Sequence, residues 1–179
     1  MRKKGVDAVT IQDITDAADV GHGTFYLHFE SKADVLRPIV EQLALRIHQR
    51  VERVTRGNSD PALRLATGIR VALSSIAGDP IWNWYVFHSG TPYRQLAHGM
   101  GAPPLEDMNR GIAQGRFQVP ELRSTWMFID GAMIGVLTAW ESEALGEDAA
   151  EITAELVLRS LGITPEEAAR LARLPLGPA

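Results

Sequence analysis

The five histidines are the first residues to consider as metal ligands or general bases: His22, His28, His48, His88 and His98. Two side chains four residues apart on a helix can hold one metal ion, because that spacing places them on one face. None of the five forms such a pair that we regard as a metal site, and His22 and His28 are six residues apart on different faces. The chain has no cysteine, which excludes thiolate metal sites, disulfides and a cysteine nucleophile. We therefore expect no bound metal.

Motifs of common catalytic sites are also missing from the sequence. It has no serine-hydrolase elbow, phosphate-binding loop or dinucleotide fingerprint, since its glycines mark turns and helix ends. A catalytic site would have to be built from His88 and Asp130 meeting in an aromatic pocket. Two residues so far apart in sequence do not make a motif. We predict a protein that is not an enzyme and that needs no cofactor.

Aromatic and methionine side chains are concentrated between residues 82 and 133. Any one of them is most simply a core residue, but together they exceed what a small helical core needs. They predict an apolar cavity bordered by residues 82–88, the loop 89–104 and the helix face 126–133. The ligand should be small and mainly hydrophobic or aromatic, with Tyr85, His88 and Asp130 as candidates for orienting it. The predicted ligand-binding residues are Trp82, Tyr85, His88, Met100, Met108, Trp126, Asp130 and Met133.

Residues 10–32 predict two short helices around a tight turn. Thr10 and Asp13 have the spacing of a capping box at the start of the first helix. The turn at residues 19–21 suits a helix-turn-helix, with Val20 buried between the helices. A second helix from 22 to 28 would place Phe25 and Phe29 inward. Its outward residues are small, polar or aromatic, as a helix that approaches a nucleic-acid groove requires: His22, Gly23, Thr24, Tyr26 and His28.

This stretch resembles the DNA-binding signature of the tetracycline-repressor (TetR) family of bacterial regulators. The residues that carry the resemblance are Gly5, Thr10, Ile14, Ala18, Val20, Gly23, Thr24, Phe25, Tyr26, His28, Phe29, Ser31, Lys32 and Leu36. The resemblance implies that Thr10, Tyr26 and Lys32 contact DNA phosphates, and that His22, Gly23, Thr24 and His28 lie nearest the bases. The alternative is that Tyr26 is a packing residue and Lys32 is solvated.

The start of the chain departs from this resemblance. The family builds its DNA-binding head from three helices, and the first would end near Lys4, although the chain begins at Met1. We expect that Met1 is an internal methionine taken as the start, or that the chain is truncated. The alternative is a natural short form with impaired DNA binding. The 179-residue form is expected to bind DNA poorly or not at all.

The rest of the chain predicts a helical body. A long helix opens at Ser31, with a kink expected at Pro38, and Gly57 to Asp60 marks a break. We therefore divide the chain into residues 1–56, the helix-turn-helix head and connecting helix, and residues 57–179, the ligand-binding and dimerisation domain. Further helices are expected from residue 61 to about 78, from residues 79–80 into the aromatic segment that follows, and over residues 105–114, 121–145, 147–161 and 164–173.

The predicted helices over residues 121–161 have more apolar surface than one subunit can cover. The first is apolar on two faces, with Gly131, Gly135 and Ala139 forming a stripe of small residues. The second adds Ile152 and Leu156. We expect them to form half of an intersubunit four-helix bundle, which makes the protein a homodimer through residues 121–161.

Composition limits the remaining possibilities. The net charge is −4, and residues 1–56 hold nine Lys and Arg against eight Asp and Glu, so any attraction to DNA must be local. The chain has no run of eighteen apolar residues, which predicts a soluble protein without a membrane span or membrane partner. The absence of cysteine fits a cytoplasmic protein. The resemblance then implies an all-α, homodimeric, ligand-responsive regulator that binds a palindromic operator, most simply a repressor. The alternative is a small-molecule-binding or interaction protein without DNA activity, because the first helix is missing.

Overall fold

The computed structural model describes residues 8–55, 57–79, 81, 84, 102–142 and 144–176, and these residues form helices without any strand. Ile81 and Trp84 are also in helical conformation. The all-α fold class predicted from the sequence is therefore confirmed for this part of the chain. The helices are α1 Ile11–Ala18, α2 His22–His28, α3 Lys32–Thr55, α4 Pro61–Ala77, α5 Ala102–Ala113, α6 Leu122–Glu141, α7 Ala149–Ser160 and α8 Pro165–Ala172.

The helices α1 and α2 form the predicted helix-turn-helix. The Thr10 hydroxyl accepts a hydrogen bond from the Asp13 amide at 3.0 Å, and the Thr10 amide donates to the Asp13 carboxylate at 2.9 Å, so the capping box is present. Asp19 ends α1 in the left-handed conformation with φ 54°, which an aspartate tolerates better than most residues. Phe25 is buried at 4% exposure, as predicted, and Phe29 is half-buried.

The prediction that Val20 is buried between the two helices is wrong, because its side chain is 43% exposed. The left-handed Asp19 redirects the backbone immediately before Val20, so the residue lies on the outside of the turn. No segment among the described residues covers it.

The long helix α3 connects this head to the body. The amide and the hydroxyl of Ser31 both donate to the Asp34 carboxylate at 2.9 Å, so a second capping box begins the helix. Leu36 is fully buried in the core that the body helices share. Pro38 lies inside the helix on its exposed side, and the kink expected there stays a prediction.

The body is organised around α4, which packs against α3, α5, α6, α7 and α8. Asp60 caps α4 by accepting from the Ala62 amide at 3.1 Å, and Pro61 occupies its first turn, where no backbone donor is needed. Most of α4 is buried, including Leu65, Ile69 and Leu73. A helix buried on most of its surface is the centre of the core rather than an outer layer.

Two ion-pair clusters hold the ends of the body together. Arg116 bonds to the carboxylates of Asp60 at 3.1 Å and Glu167 at 2.7 Å, which ties the start of α4 to α8. Arg70 bonds to Glu151 of α7 at 2.7 Å and to the carbonyl oxygen of Leu174 at 2.6 Å. These bonds fix the chain segments that surround α4.

The helix α5 starts earlier than the sequence indicated. The loop prediction extended to residue 104, but the helix begins at Ala102 and contains Pro103 and Pro104. Prolines are tolerated in the first turn because its amides have no partner within the helix. The helix α6 ends at Glu141, before the predicted residue 145, and α7 covers residues 149–160 rather than 147–161. Among the described residues, no helix is both long enough and apolar enough to cross a membrane.

Candidate functional site

The exposed face of α2 contains the residues predicted to approach DNA bases. His22, Gly23, Thr24 and His28 are all exposed. A Cβ atom built on Gly23 would meet no other atom within 4 Å, so this position leaves the backbone open to close approach. The structure therefore places these four residues together on one accessible helix.

Tyr26 combines an exposed ring with contacts inside α2. Its side chain is 54% exposed, yet its ring lies edge-on to Phe25 with centroids 5.3 Å apart and to His22 at 5.4 Å. Edge-to-face contacts of this kind hold an aromatic ring in place. The phenol oxygen is thus carried by a ring whose orientation is supported by the buried Phe25.

Lys32 and Thr10, the other two predicted phosphate contacts, lie at helix N-termini, where the helix dipole favours an anion. Thr10 is exposed, and its hydroxyl belongs to the capping box with Asp13. The Nζ of Lys32 donates to the carbonyl oxygen of Val9 at 3.0 Å and lies 4.7 Å from the centroid of the Trp84 ring. Lys32 is therefore half-buried in a junction between head and body rather than fully solvated.

A cavity of about 350 Å³ lies within the body, between α3, α4, α5 and α6. Its size is in the range typical of sites for small organic molecules. Most of the wall is apolar, and it combines residues from all four helices. The lining residues are Glu41, Ala44, Leu45, Ile47, His48, Val51, Arg64, Leu65, Gly68, Ile69, Ala72, Pro104, Asp107, Trp126, Ile129, Asp130 and Met133.

Two polar side chains of α6 at this cavity are buried without a hydrogen-bond partner in the described part of the chain. They are Asp130, through Oδ2, and Trp126, through Nε1. Each residue is 8% exposed. Burial raises the pKa of Asp130 from 3.8 to about 6, because a charged carboxylate loses its hydration there. These two atoms are buried polar groups of the wall that a ligand could pair with.

Arg64, the buried cation at the cavity, is already paired. Its Nε donates to Asp107 of α5 at 2.8 Å, and its guanidinium also bonds to Glu52 of α3. The hydrogen bond with Arg64 lowers the pKa of Glu52, and the bonds to Glu52 and Asp107 raise the pKa of Arg64. The arginine thus links α3, α4 and α5 beside the cavity instead of presenting a charge to its interior.

The predicted ligand-binding residues have three different locations. Trp126, Asp130 and Met133 line the cavity on one side of α6. Met108 is fully buried in the hydrophobic core and is not part of the cavity wall, because the side chain packs among core residues of the body. The remaining four predictions, Trp82, Tyr85, His88 and Met100, lie outside the described residues.

Sequence reasoning did not identify the walls contributed by α3 and α4. On α3 they include Ala44, His48 and Val51, and on α4 they include Arg64 and Gly68. The signal that was available is Arg64, which with Arg70 is one of two charged residues in a mainly apolar helix. A charge in that position indicates either a buried ion pair or a polar site next to the core.

A separate apolar surface lies on α6 and α7. Phe128 is 60% exposed, Ile152 is 42% exposed and Leu156 is 56% exposed in the single chain. A Cβ atom added at Gly131 or Gly135 would meet no other atom within 4 Å, so α6 also has an uncovered stripe of small residues. We call these five residues the α6–α7 surface.

Comparison with known families identifies both parts of the chain. The model of bacterial regulatory proteins of the tetR family matches residues 1–39, and that of the tetracyclin repressor-like C-terminal domain matches residues 60–174. The second match alone covers more than half of the chain. These matches confirm the family resemblance predicted from residues 5–36. Both matched domains are those of regulators, and neither is an enzyme domain.

Two solved structures of the protein RolR are similar to this chain. RolR in complex with resorcinol superposes with a TM-score of 0.86 at 27% identity, covering 98% of this chain and 88% of the RolR chain. RolR without ligand gives a TM-score of 0.84 at 27% identity, with 98% and 91% covered. The similarity therefore extends over both the head and the body. A search of curated proteins found no match.

Proposed function

The chain belongs to the TetR family of bacterial regulators, and we propose that it is a repressor whose dimer leaves its operator when a small effector occupies the cavity. The observation that carries the proposal is the position of α3. This helix begins with Lys32 at the head and forms one wall of the cavity through residues 41–51. A ligand that displaces α3 would therefore move the head with it.

The energetic requirement for release is modest. The effector must have a higher affinity for the conformation that does not fit DNA than for the conformation that fits it. A tenfold change in operator affinity requires about 1.4 kcal/mol of difference between the two conformations. Because two heads must fit successive major grooves at a fixed separation, a small rotation of each α3 changes the fit of both.

The effector is proposed to be a small hydrophobic or aromatic molecule. The cavity has a volume of about 350 Å³ and a mainly apolar wall, which suits one aromatic ring. RolR, whose complex with resorcinol is similar to this chain, binds a molecule of this class. Trp126, Asp130 and Met133 are the predicted ligand contacts that lie on the cavity wall.

The operator contacts are proposed to come from the head. Thr10, Tyr26 and Lys32 would contact phosphates, whereas His22, Gly23, Thr24 and His28 of α2 would lie nearest the base edges. Two observations support this assignment. The face of α2 is exposed, and Thr10 and Lys32 lie at helix N-termini, which favour an anion. We place the head and its connecting helix in residues 1–56 and the ligand-binding and dimerisation domain in residues 57–179.

The dimer is proposed to form through residues 121–161, which contain the α6–α7 surface. Large exposed apolar side chains such as Phe128 and Leu156 are unfavourable in water, and a second copy of the chain would cover them. Four helices, two from each subunit, would then form a bundle. Such a repressor acts in the cytoplasm, where the chromosome is.

The test is operator selection carried out with the 179-residue chain and, because that form is expected to bind DNA poorly, with a version that carries a first head helix before Met1. Duplexes selected from a random library should contain a palindrome whose half-sites lie about one helical turn apart, bound by a dimer at physiological salt. Resorcinol and phenol are then added as probes, and the one that occupies the cavity should weaken operator binding. If the version with the first head helix binds a probe but selects no DNA, the protein would instead be a small-molecule-binding protein without DNA activity, and the repressor proposal would be wrong.

A further inference from the structure

We propose that the cavity selects neutral aromatic molecules that bear a hydroxyl group, and that Asp130 and Trp126 together form the subsite that recognises this hydroxyl. The proposal rests on the cavity being the effector site described above. It adds the chemistry that distinguishes a bound effector from an excluded one.

The subsite consists of two buried atoms on one helix. Asp130 Oδ2 and Trp126 Nε1 lack hydrogen-bond partners within the described residues, and both side chains line the cavity. The two residues are four apart on α6, so they lie on the same face of the helix about one turn apart. Buried polar atoms of this kind are usually satisfied, and leaving them unpaired is unfavourable. A ligand that pairs with both gains the interactions that the protein itself does not make.

The two atoms require opposite hydrogen-bonding roles from the ligand. The Trp126 indole N–H is only a donor, whereas the ionised Asp130 carboxylate is only an acceptor. A hydroxyl group can donate to the carboxylate and accept from the indole at the same time. An ammonium group can only donate, an ionised carboxylate can only accept, and a methyl group does neither.

The charges around the cavity disfavour an anionic ligand. Glu41, Asp107 and Asp130 contribute carboxylates to the wall, and the guanidinium of Arg64 is already bonded to Asp107 and Glu52. His48 of α3 is the remaining titratable side chain among the lining residues. A benzoate would thus place its carboxylate beside Asp130 without gaining the paired Arg64 as a partner.

The remainder of the wall favours a single aromatic ring. It is formed by aliphatic side chains of three helices and by Met133 and Trp126 of α6. These groups offer dispersion contacts to a flat apolar ligand, and Met133 can adapt to its outline. The aliphatic residues include Val51, Leu65, Ile69, Ala72 and Ile129.

Four probes of similar size test the proposal with the full chain at pH 8: phenol, toluene, benzoate and benzylamine. Phenol is neutral at this pH, benzoate is an anion and benzylamine is a cation, while Asp130, with its pKa of about 6, is ionised. Titrations followed by NMR should show phenol binding at least tenfold more tightly than each of the other three. The indole N–H signal of Trp126, assigned with the Trp126→Phe variant, should move with phenol and much less with toluene.

The variant Asp130→Leu removes the acceptor while filling the same place with an apolar side chain of similar size. Because it replaces a buried, unpaired carboxylate, it should fold at least as well as the parent chain. Phenol should lose its advantage over toluene in this variant, and toluene should bind as before. The matched control is Met133→Leu on the same wall, which should preserve the preference for phenol.

Three results would overturn the proposal while leaving the cavity as an effector site. These are equal binding of phenol and toluene, tighter binding of benzylamine or benzoate than of phenol, and an unchanged preference for phenol in Asp130→Leu. Failure of all four probes to bind would have a different meaning. It would reject the cavity as the effector site and with it both this proposal and the effector half of the proposed function.

Discussion

The ammonium group of Lys32 lies 4.7 Å from the centroid of the Trp84 ring, and it joins the start of α3 to the body. The same group donates a hydrogen bond to the carbonyl oxygen of Val9, just before α1, at 3.0 Å. One side chain therefore contacts the segment before α1 and an aromatic ring that packs against the body core. A residue predicted from the sequence to contact phosphate thus also holds the head in position.

The two roles of Lys32 can be separated by the salt dependence of operator binding. A phosphate contact releases counterions, so in the version of the chain that carries a first head helix Lys32→Ala should weaken binding to all sequences alike and reduce the slope of log K against log salt by about one. Trp84→Leu removes the cation–π contact, worth about 0.5 to 1 kcal/mol, together with the packing of the ring on the core. Because neither of these involves a phosphate, the slope should stay unchanged. Binding isotherms at four or more salt concentrations provide the measurement. Equal slopes for Lys32→Ala and the parent chain would assign Lys32 to the junction alone.

A substitution in α2 should change sequence preference instead. His22 is exposed on the helix face proposed to lie nearest the bases. His22→Ala should alter which operator is preferred. The binding free energy that discriminates between base pairs should change by about 1 to 3 kcal/mol for each affected base pair. Parallel operator selections with the variant and the parent chain measure this. An identical preferred sequence with uniformly weaker binding would show that His22 does not read bases.

The local structure of the head was predictable because its signals are local. The capping box between Thr10 and Asp13 and the turn at Asp19 depend on neighbouring residues, and both are present. The exposure of Val20 was not predictable in this way, because burial of a turn residue depends on whether another segment covers it. Hydrophobic type alone does not supply that information.

The cavity was only partly predictable for a related reason. Helical spacing indicates which face of α6 is apolar, and that face does contain Trp126 and Met133 at the cavity. The spacing does not tell whether such a face meets its neighbour closely or leaves a space. Met108 of α5 was as plausible a cavity residue as Met133, but it is fully buried in the core. The contribution of α3 required knowledge of how α3 and α4 pack.

The α6–α7 surface predicts the effect of a charge on oligomeric state. Leu156 is 56% exposed in the single chain and would be buried in the proposed dimer. Leu156→Glu should then bury an unpaired charge and cost several kcal/mol of dimer stability. Sedimentation should show monomer or aggregate for this variant. Ala113→Glu, at an exposed position of α5, is the control and should remain dimeric. A dimer that tolerates Leu156→Glu would place the interface elsewhere.

The buried carboxyl of Asp130 predicts a pH-dependent effect on stability. Its pKa is raised from 3.8 to about 6 in the folded protein, so between these values the folded state binds more protons than the unfolded state. The free energy of unfolding should consequently fall as pH rises through this range. Burial of the charge costs at most roughly 3 kcal/mol above pH 7, since one pKa unit corresponds to about 1.4 kcal/mol.

Asp130→Asn removes this cost without changing the size of the side chain. The variant should be more stable than the parent chain at pH 8, and the advantage should decrease as pH falls below the folded-state pKa of about 6, approaching zero only below about pH 3, where the parent carboxyl is largely protonated in both states. Urea denaturation at a series of pH values measures the difference. Glu41→Gln is the matched control, because Glu41 also lines the cavity but is exposed, and it should show no such trend. An advantage of Asp130→Asn that stays constant with pH would mean that the Asp130 carboxyl does not carry the cost of a buried charge.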